Sequence, residues 1–144
     1  MSATPPRALQ FKLVAAKAGY ALAQQDVAGL LAERGEVGQA LEWIERAARQ
    51  GTSDALMTYA GVYNGAPGVT PNPVKTAAYF RLFVDRSEGT DKQREWLKSF
   101  EEKLSVAQRS EVSRIVAAYR PSPTPLTLKA LRGSGTAEEL VRAR

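Results

Sequence analysis

Apolar residues recur along this chain at intervals of three and four, and clusters of proline interrupt the pattern. In residues 36–50, EVGQALEWIERAARQ, Ala40, Trp43, Ile44, Ala47 and Ala48 form one stripe, the mark of a helix with a single buried face. Glu42 and Arg46, like Glu45 and Arg49, stand four apart on the other side, in the order that favours pairing along a helix. Gly51 follows as a left-handed stop. The same spacing puts Trp96, Leu97, Phe100 and Leu104 on one face, and Val112, Ile115, Val116 and Tyr119 on another. Thr90 with Gln93, Ser105 with Gln108, and Thr136 with Glu139 have capping-box spacing, where a hydroxyl and a longer side chain satisfy free backbone donors at a helix start.

All the prolines fall at 5 and 6, at 67, 71 and 73, or at 121, 123 and 125. Proline breaks helix interiors and strand ladders, so these clusters punctuate the fold. No useful strand-like alternation lies between them. The chain is expected to be all-α, with residues 1–119 as one domain whose residues 7–119 form about seven helices. Residues 120–144 then form a proline-containing extension. Its alternating prolines favour an extended backbone, and Leu126, Leu128 and Leu131 reward packing. A docked strap with a short terminal helix from Thr136 is expected, with an exposed peptide ligand as the alternative.

The pattern also repeats. Val27-Ala28-Gly29-Leu30-Leu31 aligns with Tyr59-Ala60-Gly61-Val62-Tyr63 at an offset of 32, shared by Gly19 with Gly51 and Ala23 with Ala55. ALEWIERAA aligns with TAAYFRLFV at an offset of 36, because the second loop is four residues longer. Two-helix units of this period indicate a helical solenoid. The order Ala55, Tyr59-Ala60, Tyr63, Gly65, Gly68-Val69, Asn72, Lys75 and Tyr79 resembles a Sel1-like repeat. So does Ala40-Leu41-Glu42-Trp43 followed by Ala47-Ala48-Arg49-Gln50-Gly51.

The resemblance covers residues 19–89, with Asn72 where that family favours Asp and Thr76 where it favours Ala. It implies a short α-solenoid of antiparallel, tetratricopeptide-related hairpins at 20–50 and 54–86. The helices at 91–104 and 106–119 then close the C-terminal end. It further implies a protein-binding module of bacterial type that regulates or neutralises another protein, such as an immunity protein against a secreted antibacterial toxin. An adaptor in signalling or envelope assembly is the alternative.

Composition narrows the chemistry. The chain has 144 residues, 44% of them hydrophobic and 24% charged, with neither cysteine nor histidine. That removes disulfides, thiolate or imidazole metal sites, cysteine nucleophiles and histidine-based triads. No run of about 18 apolar residues exists to cross a bilayer, and residues 1–17 lack the uninterrupted apolar region of a secretory signal. Net charge is +5, but the signs interleave. From Arg120 onward there are five basic and two acidic residues, a mild surplus of three. A nucleic-acid-binding helical domain would concentrate that charge beside exposed aromatics.

The loop YNGAPGVTPNPVK lacks the lysine and the preceding strand of a phosphate loop and reads as a connection between two helices. Glu88, Asp91 and Glu95, or Glu101 and Glu102, are candidate acid–base or oxygen-ligand sets. They stand beside Lys92, Arg94, Lys98 and Lys103, as on solvated helix faces. The aromatics occupy packing positions, and Trp43, if buried, would cost about 3–5 kcal/mol on truncation. The remaining candidate is a partner-binding stripe. Met57, Gly61 and Asn64 lie at i, i+4 and i+7 beside the packing face, and Gln25, Gly29 and Ala32 are their counterparts in the first repeat. The competing explanation is that both glycines let helices cross closely. The expectation is a partner protein, with no enzyme activity, cofactor, metal, nucleic acid or membrane insertion.

Overall fold

The computed structural model describes residues 7–132, and these are all-helical, with no strand among them. The helices are α1 (Arg7–Lys17), α2 (Ala21–Glu33), α3 (Val37–Gln50), α4 (Ser53–Val62), α5 (Pro73–Ser87), α6 (Asp91–Glu102), α7 (Val106–Ala118) and α8 (Pro125–Arg132). The Thr136 and Glu139 capping box lies outside the described residues. The chain divides into two compact units, Met1–Gln50 with Pro121–Arg144, and Gly51–Arg120.

In the first unit α2 packs on both α1 and α3. Leu9, Ala16, Ala23, Val27, Leu31 and Ala40 are buried there, with Leu13, Tyr20, Leu30 and Trp43 half-covered around them. On α3 the expected stripe is buried at Ala40, Ile44, Ala47 and Ala48. Trp43 departs from full burial, and the Arg46 guanidinium stacks 4.7 Å from its ring instead of reaching Glu42. Glu45 and Arg49 do pair, at 3.2 Å.

The C-terminal segment is tied to this unit by polar groups. α2 begins without a cap of its own, because Tyr20 precedes it and makes no side-chain bond to the free backbone donors. The Thr127 hydroxyl supplies the missing cap by accepting from the Ala21 N–H at 3.0 Å. It also donates to the Gly19 carbonyl at 3.2 Å. Thr124 donates to that carbonyl at 2.6 Å, and so does the Gln50 amide at 2.9 Å.

Gln50 in turn donates to the Gln24 side chain and accepts from the Thr124 N–H, while Gln24 donates to the Ala16 carbonyl. No buried side-chain polar atom lacks a partner among the described residues, as a stable buried network requires. Gly19 is held at φ +101°, and a Cβ there would come within 2.9 Å of Thr124.

The expected extended, leucine-packed strap is therefore corrected. Residues 125–132 are helical, Thr127 is buried, and Leu126, Leu128 and Leu131 are exposed. A loose helix start and an orphan carbonyl at the α1–α2 turn demand hydroxyls, which no leucine can supply.

In the second unit α4 packs on α5, and α5 also carries α6 and α7. Leu56, Leu82, Phe83 and Val84 form one cluster. Ala77, Ala78, Leu104 and Val112 form another. The capping boxes at Thr90/Gln93 and Ser105/Gln108 close with both bonds in place. The loop between α4 and α5 is a connection: Gly65 and Gly68 take positive φ, the Asn72 N–H donates to the Tyr63 carbonyl, and the Asn72 side chain caps α5 at Lys75.

Two stability tests follow from this packing. Thr127→Val preserves shape but strands the Ala21 N–H and removes one of the three side-chain donors to the Gly19 carbonyl. It should cost about 1–3 kcal/mol in urea unfolding, against under about 0.5 kcal/mol for the exposed Leu131→Ser. Equal costs would mean that the segment is held by its leucines. Half-buried Trp43 should lose about 2–3 kcal/mol on replacement by Ala, below the 3–5 kcal/mol of a fully buried aromatic.

Candidate functional site

α4 contributes Met57, Ala60 and Gly61 to one groove of the second unit, the turn after it Asn64, α5 Thr76 and Phe80, and α6 Trp96. Its volume is about 180 Å³. The floor is polar but satisfied, since the Thr76 hydroxyl donates to the Ala60 carbonyl at 3.2 Å. The walls are apolar. Met57 and Trp96 are each 40% exposed, which leaves two large apolar side chains open to water at its mouth. Trp96 stacks on Phe100 at 5.0 Å and meets Phe80 edge-on at 4.9 Å, so its ring is held in place. Asn64 is exposed, and its amide adds a neutral hydrogen-bonding group to the lining.

The stripe Met57, Gly61 and Asn64 is thus assembled in one concave surface. Gln25, Gly29 and Ala32 lie on α2 in the other unit and do not line this groove. Gln25 is half-buried, and Gly29 and Ala32 are exposed. The close-crossing explanation of the glycines fails for both, because a Cβ built at Gly29 or Gly61 meets nothing within 4 Å.

Trp96, which shares the expected packing face with Leu97, Phe100 and Leu104, is instead 40% exposed. A signal was present in α6, where Trp96 sits about 100° round the helix from buried Leu97 at 100° per residue, at the edge of the apolar stripe.

About 200° from Met57 by the same rotation, α4 turns Tyr59 the other way, and Tyr63 follows at its C-cap. Tyr63, Tyr59, Tyr79 and Tyr119 make a chain of edge-to-face contacts with centroids 5.3, 4.6 and 6.3 Å apart. Lys75 lies 4.5 Å from the Tyr63 ring centre, with both the Tyr59 and Tyr63 hydroxyls at 3.5 Å. The arrangement joins the start of α5 to α4 through cation–π attraction.

The acidic candidates are dispersed. Glu101 is held by Arg81, Glu88 ends α5 in a left-handed conformation, and Asp91 lies in the first turn of α6. Among the described residues no three acidic side chains converge to hold a metal ion.

No protein-family model matches the chain, and no curated protein matches it.

The tyrosine chain makes a pH prediction. Burial pushes the Tyr119 phenol above its ordinary value, with Arg86 partly offsetting the shift and Tyr79 adding to it. The folded state therefore disfavours the phenolate. The associated stability is fully present below the unfolded value of about 10 and is lost as pH rises through the folded one. Urea midpoints measured from neutral to alkaline pH should fall more steeply for the native chain than for Tyr119→Phe. Identical slopes would assign the fall to other groups.

Proposed function

We propose that the chain is a non-enzymatic protein-binding module, built from two Sel1-like, tetratricopeptide-related helical hairpins of a short α-solenoid, that binds and regulates or neutralises a partner protein. The observation that carries the binding role is the groove, where an exposed Trp and an exposed Met flank a helical glycine whose Cβ position is open. A glycine inside a helix costs about 0.5–1 kcal/mol relative to alanine, and Gly61 lies in the last turn of α4. A residue of that cost with no packing neighbour suits a surface that another backbone approaches.

Burial supports the repeat reading. At the offset of 32, Ala23 and Ala55 are both buried, as are Val27 with Tyr59 and Ala28 with Ala60. Gly29 and Gly61 are both exposed, and Gly19 and Gly51 both have positive φ. At the offset of 36, Ala40 and Thr76 are buried, and so are Ala47 with Phe83 and Ala48 with Val84. α2 packs on α3, and α4 on α5. A cavity of about 180 Å³ is below the usual range for cofactor sites and suits one apolar side chain of a partner.

Affinity purification from the host organism should recover a protein partner. Recovery of a secreted toxin would make the role neutralisation, as in immunity proteins; a signalling or envelope component would make it an adaptor. Met57→Glu and Gly61→Arg should each abolish the complex while helicity and melting temperature stay unchanged, because both positions face water. Gly61→Ala alone should raise stability by about 0.5–1 kcal/mol. If both charged variants bind as the native chain does, the groove is not the docking site.

A further inference from the structure

Two helices of the first unit carry the chain's charge surplus. α1 contains Arg7, Lys12 and Lys17, α8 contains Lys129 and Arg132, and neither contains an acidic residue. Their five positive charges equal the net +5 of the whole chain; the remaining basic and acidic residues cancel. Lys12 pairs with Asp26 at 2.8 Å. The other four form no ion pair among the described residues.

Exposed apolar side chains accompany this charge. On α1, Phe11 is 68% and Val14 71% exposed, and on α8 Leu131 is 60% exposed with Leu126 and Leu128 at 41%. Thr124 and Thr127 pin the start of α8 to the α1–α2 turn. At 1.5 Å per residue Phe11 lies about 12 Å along α1 from Gly19, and Leu131 about 6 Å along α8 from Thr127. With the hydrogen-bonded turn between them, the apolar set spans no more than about 25 Å. This gathering is invisible in the sequence, where the two helices are over a hundred residues apart.

We propose that this end of the first unit docks on an anionic lipid surface. Lysines and arginines are attracted to the negative headgroup layer, and exposed Phe, Val and Leu side chains enter the boundary between headgroups and acyl chains. A nucleic-acid phosphate backbone would reward the charge but leave four aliphatic side chains without a partner. A second copy of the chain would bring like charges together. No helix among the described residues is long and apolar enough to cross a membrane, so the association is with the surface. These residues belong to the first unit, and the proposal does not depend on the function proposed for the groove of the second.

The test is co-sedimentation of the intact chain with vesicles of phosphatidylcholine alone, or of phosphatidylcholine mixed with phosphatidylglycerol, over a range of salt. Binding is expected only with phosphatidylglycerol and should weaken as salt rises. Lys17→Gln and Lys129→Gln should each weaken it about fivefold. Phe11→Ser and Leu131→Ser should also weaken it, with circular dichroism unchanged because both side chains are exposed. Lys98→Gln and Arg109→Gln, on the second unit, should leave it unaltered.

Three results would overturn the proposal. One is no sedimentation with phosphatidylglycerol vesicles. Another is an equal loss from the second-unit substitutions, which would make the effect one of diffuse net charge. The third is indifference to both serine substitutions together with tighter binding to duplex DNA, which would assign the surface to nucleic acid.

Discussion

None of the helices among the described residues can stand without a neighbour. They run from 8 residues in α8 to 15 in α5, and helices of that length are marginal alone in water. Each must lay one face against another element, and the contact surfaces are small: Ala16, Ala23, Ala40, Ala47, Ala55, Ala60, Ala77 and Ala78 are all buried. Alanine has the best intrinsic helix propensity and leaves room for close contact. Larger side chains such as Val27, Ile44, Leu56 and Val112 then fill the remaining spaces.

The same dependence explains the polar clasp. Bringing helix ends into contact buries backbone groups that water would otherwise satisfy, and an unpaired buried group costs about as much as several apolar contacts contribute. At the α1–α2 turn the solution comes from the far end of the chain, where two threonines supply the cap and occupy the Gly19 carbonyl. Gln24 and Gln50 complete the circuit. The result is a first unit made from two distant stretches of sequence, with α8 oriented by its hydroxyls and its leucines left outward.

Two apolar surfaces remain exposed after this packing. In the second unit the α4–α5 contact uses one side of α4 for Tyr59 and leaves Met57, Gly61 and Asn64 on a concave surface closed by Phe80 and Trp96. In the first unit Phe11 and Val14 of α1 and the leucines of α8 are exposed on helices that carry lysines and arginines and no acidic residue. Neither surface holds the convergent acidic or imidazole groups that hydrolytic and metal chemistry use, and both present apolar side chains next to polar ones.

Local pattern determined most of the helices, because it depends on residues three to four apart: the stripe on α3 and the capping boxes at Thr90 and Ser105 are written within single turns, whereas α8 lies where the prolines predicted extended chain. The same local reading placed Met57, Gly61 and Asn64 on one face. It could not say whether Gly29 and Gly61 were covered, since that depends on which helix crosses them. It also misjudged Trp96, whose position at the edge of a stripe leaves burial to the neighbouring helices. The first unit was the least legible part. Leucines at 126, 128 and 131 promised apolar docking, and only the tertiary structure revealed that the demand at the α1–α2 turn was for hydrogen bonds. Periodicity records which face of a helix is apolar; which backbone groups go unsatisfied where distant segments meet is decided by their approach in space.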